Sequence, residues 1–224
     1  MILLAAAILT TCLGATSFLL WGIVPYAAYL TILNVVPCEY ASGKTDMLVL
    51  VGLQKGYDTE KNMLSAMEIQ GQLYAGKSFS EIDESYYYDV PQLCEDEPLY
   101  AVMLDLRYRY HLEKGETDKA VDALTRLTMS QVYLPDLEME KIAAEVTYMH
   151  SLQGNLVYAQ EMGEACYEFL QGDSVTAKRV LAAFSAAFGK EDAVPELKRQ
   201  AQDALQNERI LGVRKFEEIL LSRI

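Results

Sequence analysis

Before Glu39 the sequence contains no lysine, arginine, aspartate or glutamate. Such a start lacks the basic flank of a cleaved secretory signal. Leu9-Thr10-Thr11-Cys12 is a poor lipoprotein cleavage pattern, because Thr11 is badly suited to precede the cysteine. Histidine is scarce: His111 and His150 are the only two, and neither has a second histidine at helical spacing, so they form no zinc-protease helix. Four cysteines, Cys12, Cys38, Cys94 and Cys166, show no Cys-x-x-Cys spacing. That argues against a disulfide framework or a zinc knuckle and suits a reducing compartment. There is no Gly-x-Ser-x-Gly elbow, phosphate loop or dinucleotide fingerprint. With a net charge of −13 and no basic stripe, nucleic acid is an unsuitable partner.

What the chain does have is a sharp division. Met1 to Trp21 is apolar and long enough to span a bilayer, which takes about 20 residues. Gly22 and Pro25 interrupt it, and Tyr26 to Val36 is a second apolar stretch, with Trp21, Tyr26 and Tyr29 suited to an interfacial belt. These features predict two membrane helices, the second short or tilted and closed by Pro37. Lys44, Lys55 and Lys61 follow the apolar region and none precede it, which places the C-terminal body in the cytoplasm. The run Met47 to Leu53 is too short to cross alone and reads as a helix start or a re-entrant segment.

At the division stands Asn34-Val35-Val36-Pro37, a turn through Gly43, and then Asp46 opening the next apolar run. A carboxylate at a membrane surface needs pairing, metal or water. Thr45-Asp46 before an apolar run is also good capping chemistry, so Asp46 reads either as a functional acid or as a helix N-cap. The order Asn-x-x-Pro, turn, Asp resembles the second motif of the site-2 protease (M50) family of intramembrane zinc metalloproteases. The resemblance covers about the first quarter of the chain and departs from the family in two places. Met47 stands where the family has Gly, and the family's His-Glu-x-x-His helix is missing from this sequence. It implies that Asp46 is the third ligand of a Zn2+ ion in an intact member. Asn34 would orient substrate or a second-sphere group, and Pro37 would shape the rim. With one ligand of three, this chain alone is expected to bind no zinc and to be inactive. It reads as truncated at its start or as having lost the catalytic helix.

From Asp58 onward the pattern is helical, first through about Tyr74 with Met63, Met67, Ile69 and Leu73 as apolar positions. Tyr86-Tyr87-Tyr88 suits packing in a groove between helices better than a binding surface. Beyond Glu97 the chain repeats. Gly115, Gly154 and Gly189 fall roughly 35 to 40 residues apart, a helix-turn-helix repeat period, each with an alanine (Ala120, Ala159, Ala193) soon after. The segment Tyr110 to Leu127, with its Gly-Glu-Thr-Asp-Lys-Ala turn, resembles a tetratricopeptide repeat. The expected fold is therefore all-α: transmembrane helices followed by a tetratricopeptide-like α-solenoid. The parts are a membrane region at 1–56, a helical linker at 57–96 and a repeat domain at 97–224. Asn207 to Ile224 would close the last repeat or pack on a partner. The leading functional expectation is a site-2-protease-like membrane protein with a cytosolic repeat domain that binds a protein or peptide. The alternative is a membrane-tethered adaptor without catalysis, whose repeat surface does the binding.

Overall fold

The computed structural model describes residues 8, 18–40, 43–130 and 134–224, and the chain is predominantly helical. It divides into two compact units, Met1–Lys61 and Asn62–Ile224.

In the first unit, helix α1 (Phe18–Val35) carries no charge and contains Pro25. Proline at that position removes one ladder hydrogen bond. The helix nevertheless runs on through it, so the expected break between two apolar helices at Gly22–Pro25 is absent. Most of the first expected span, Met1 to Trp21, lies outside the described residues. At 1.5 Å per residue, 18 residues reach about 27 Å, a little less than the roughly 30 Å of a bilayer's hydrocarbon core. Among the described residues no helix is long and apolar enough to cross a membrane. Pro37 follows α1, and the chain turns back in a minimal antiparallel ribbon, β1 (Glu39–Tyr40) on β2 (Gly43–Lys44), pairing Glu39 with Lys44 and Tyr40 with Gly43.

Helix α2 (Asp46–Lys55) begins directly after the ribbon, so the run from Met47 to Leu53 is helix. It ends at Gly56 in the left-handed region (φ 73°). The Gly56 amide bonds to Leu53 and the Tyr57 amide to Gly52, the paired closure that favours glycine there. Helix α3 (Asp58–Tyr74) carries the boundary between the units. Within the first unit, Gly52 lies against the buried Glu60, and a Cβ there would stand 2.6 Å from the Glu60 carboxyl carbon.

The second unit starts with the remainder of α3, whose Ile69 and Leu73 are buried. A 3₁₀ turn follows (Phe79–Glu81), in which Ser78 and Glu81 cap each other, and then the short α4 (Ser85–Tyr88). Three helical hairpins come next. They are α5 (Pro98–Lys114) with α6 (Thr117–Thr128), α7 (Asp136–Leu152) with α8 (Leu156–Ala165), and α10 (Val175–Ala187) with α11 (Val194–Leu205). Helix α9 (Tyr167–Gln171) bridges the second and third, and α12 (Leu211–Ser222) ends the chain.

The turn glycines Gly115, Gly154 and Gly189 have φ of 74°, 71° and 70°. Only a residue without Cβ takes that conformation cheaply, which is why the period is visible in the sequence. Ala120 and Ala159 are fully buried, as close helix contact requires. The third hairpin departs. A 3₁₀ turn (Glu191–Ala193) precedes α11, so Ala193 is exposed and Ala201 takes the buried position.

The expected closing helix does more than cover the last hairpin. Helix α12 packs on α10 and α11 and also on α5 and the Phe79 turn. Phe216 meets Phe79 edge-on at 5.0 Å between ring centroids. Arg223 donates to the carbonyls of Leu112 (2.6 Å) and Glu113 at the end of α5. The hairpins thus form a body closed by α12, and among the described residues no open solenoid is shown. Gly212 lets α12 start against the main chain of residues 73–77. A Cβ there would overlap the Lys77 carbonyl oxygen and stand 2.9 Å from the Leu73 Cα.

Candidate functional site

The turn before α2 is built around Thr45, which is 5% exposed. Its hydroxyl donates to the Val36 carbonyl (2.9 Å) and accepts from the amides of Cys38 (3.2 Å) and Leu48 (3.4 Å). Its own amide bonds to the Cys38 carbonyl at 3.1 Å. One side chain therefore fixes the end of the apolar helix, the ribbon and the start of α2. Thr45, in extended conformation (φ −72°, ψ 157°), is the N-cap. The capping reading of Asp46 is thereby corrected: Asp46 is the first helical residue, and its side chain is exposed. A carboxylate there complements the helix dipole, and it is not consumed by the cap.

Asn34 lies in the last turn of α1 and Pro37 just beyond it, both exposed. They share with Asp46 the segment that Thr45 ties together. No group of three His, Cys, Asp or Glu side chains placed to hold a metal occurs among the described residues. Both histidines lie in the second unit. Zinc needs three or four protein ligands, and among the described residues no such set accompanies Asp46.

The second unit holds a different polar centre, which sequence reasoning missed. Arg179 of α10 is fully buried and bonds Glu145 of α7 through Nη2 (2.6 Å) and Glu217 of α12 through Nε (2.7 Å). Tyr108 of α5 donates to the other Glu145 oxygen (2.8 Å), and Thr176 donates to the other Glu217 oxygen (2.9 Å). The guanidinium lies over the Tyr148 ring at 4.2 Å. Burial pushes the Glu145 carboxyl up, but Arg179 and then Arg109 outweigh it and hold it below the usual carboxylate range. The available signal was a charged residue inside the apolar run Arg179-Val180-Leu181-Ala182-Ala183, in a position where an amphipathic helix should be apolar.

Over this centre opens a groove of about 410 Å³. Its walls include Val102, Leu127, Ile142 and Phe169, and Arg109 and Glu145 reach its floor. Apolar walls with a few fixed polar groups suit a small ligand or an extended peptide.

His111, expected at a helix end facing solvent or bonding carbonyls, is instead 2% exposed and held at both ring nitrogens. Glu116 lies 2.7 Å from Nδ1, and the Tyr88 hydroxyl is bonded to Nε2. Lys119 foremost, then His111, draw the Glu116 carboxyl down to about 2. His150 stacks on Tyr158 at 5.4 Å. The tyrosine cluster divides. Tyr87 is buried and bonds the Phe79 carbonyl (2.9 Å), as packing predicts, whereas Tyr88 is half-exposed.

No protein-family model matches the chain, and neither a curated protein nor a solved structure is similar to it.

Proposed function

We propose that this chain is part of a site-2-protease-like membrane protein. In this reading the first unit supplies one acidic ligand, Asp46, and the helical body of the second unit binds a protein segment on the cytoplasmic side. The observation that carries the reading is the division of labour at the turn. Thr45 does the capping, so the Asp46 carboxylate is presented to solvent at the first turn of a helix that follows an uncharged apolar helix. The remaining zinc ligands and the catalytic glutamate belong to a His-Glu-x-x-His helix that this sequence does not contain. Asn34 and Pro37 would then flank the Asp46 side of a substrate strand. The membrane assignment rests on the uncharged stretch before Glu39, continued by α1.

The test is Asp46→Ala in the intact, membrane-extracted protein, read by zinc content and by cleavage of a membrane-protein substrate. Loss of both, with membrane insertion and helicity unchanged, is expected. Zinc content and cleavage equal to wild type would refute the assignment.

A second reading, a membrane-tethered tetratricopeptide-like adaptor without catalysis, is favoured by the groove over Glu145. There a peptide would lie against apolar walls above a charged floor. A photo-crosslinker at the exposed Val102 should then give a discrete adduct that is lost in Lys141→Glu. An adduct unchanged by that variant would argue against the groove.

A further inference from the structure

A second concavity, about 390 Å³, lies between α4, α5 and α6, with Arg107, Arg126 and Lys119 on its walls. In a chain of net charge −13 nearly every buried or half-buried cation should find a carboxylate, as Arg109 and Arg179 do. Among the described residues neither the half-buried Arg107 nor the exposed Arg126, which shares its pocket, has a carboxylate within ion-pair distance. Arg107 is half-buried, and its guanidinium is disfavoured by burial and by the charge of Arg126. An anion in the pocket would relieve both penalties.

The two guanidinium groups are also preorganised. Arg107 Nε donates to the Tyr87 carbonyl (2.8 Å), and its plane lies over the Tyr88 ring at 5.0 Å from the centroid. That ring is fixed in turn, because its hydroxyl is bonded to the buried His111, which Glu116 orients. Arg126 Nη2 donates to the Tyr100 hydroxyl (2.8 Å) over the Tyr100 ring. Each guanidinium keeps further N–H donors that make no hydrogen bond within the described structure. Such forks match a tetrahedral oxyanion. Lys119, which bonds Glu116 at 3.1 Å, adds a third cation at the wall. Asp118 and Asp122 line the same pocket and disfavour an extended polyanion, so the site suits a single compact group held by the arginines.

We propose that this pocket binds one phosphoryl group, through the outward donors of Arg107 and Arg126. The site is independent of Asp46 and of any proteolytic role. The group can arrive as free phosphate or on a phosphorylated side chain.

The experiment is calorimetric titration of the full chain with inorganic phosphate at constant ionic strength, with chloride as control and a phosphoserine peptide as a second arm. Saturable phosphate binding is expected, weakened about tenfold or more by Arg126→Gln and by Arg107→Gln, as the loss of a charged hydrogen bond implies. A peptide that binds more tightly than phosphate identifies a protein-borne source, and the reverse identifies a free one. Phosphate indistinguishable from chloride, or binding unchanged in the variants, overturns the proposal. Arg107→Gln also removes a bond to the Tyr87 carbonyl. If that variant does not fold, the exposed Arg126→Gln decides.

Discussion

Each unit of the molecule buries a carboxylate, and the two solve the problem differently. In the first, Glu60 is 2% exposed and meets Lys44 at 2.6 Å through one oxygen, while its other oxygen has no hydrogen-bond partner among the described residues. In the second, both oxygens of Glu145 and both of Glu217 are occupied, and one guanidinium serves the two acids. Even there the Arg179 Nη1 donors lack a hydrogen-bond partner among the described residues. The planar fork of arginine lets one cation reach carboxylates on two helices, where a lysine ammonium makes a point contact. The difference shows where rigidity is invested. The body of hairpins is pinned at its centre by long-range polar bonds, whereas the Asp46 turn is held by short-range bonds from one threonine.

The comparison is broken most directly at Arg179. Arg179→Met leaves two buried acids unpaired and should cost about 3–5 kcal/mol. Adding Glu145→Gln and Glu217→Gln should restore most of the loss, as measured by chemical denaturation of the full chain. An Arg179→Met variant as stable as wild type would show that the centre contributes no stability. Gly212→Ala should follow, at roughly 1–3 kcal/mol, because the methyl group forces α12 away from residues 73–77. Thermal denaturation reads this, and a shift under 1 °C would contradict the close approach.

Acid sharpens the contrast. A carboxyl held below its ordinary value stabilises the fold above the unfolded-state pKa and loses that contribution as pH falls through the folded one. For Glu145 the stability should therefore be level from pH 7 down to about its ordinary 4.5 and decline below it. Glu145→Gln should flatten the decline, and an unchanged profile in that variant would remove Glu145 as its cause. Thr45→Ala should cost about 1–2 kcal/mol, since it removes a cap and two further bonds. Smallest of all is Asp46→Ala, within about 0.5 kcal/mol as befits an exposed surface position. A larger loss there would return Asp46 to a structural role.

The hairpin body was largely legible in the sequence because its punctuation is local. A glycine with φ near 70° and an alanine a few residues on can be recognised within ten residues of each other. The centre was legible only as one misplaced charge, Arg179, because its partners Glu145, Glu217 and Tyr108 come from three other helices and each looks like an ordinary charge or ring on its own. His111 misled for the same reason: Tyr88, whose hydroxyl bonds its ring, lies 23 residues away. At the Asp46 turn the residue types were right and the roles shifted by one, since Thr45 and Asp46 both cap well and only geometry chooses between them. Pro25 reads as a helix break in sequence, yet a helix tolerates the loss of a single bond when apolar neighbours sustain it on either side.

The return of α12 to α5 has a consequence for how the protein is made. Emerging from the ribosome in order, α5, α7 and α10 would appear with Tyr108, Glu145 and Arg179 in place, but Glu217 would be missing until α12 had emerged. Until then the arginine lacks one of its acids, and Phe79 lacks the ring of Phe216. Helix α12 thus acts as a latch on synthesis. A ribosome stalled just before α12 should hold a loose, protease-sensitive body, and emergence of α12 should convert it to the resistant form in one step.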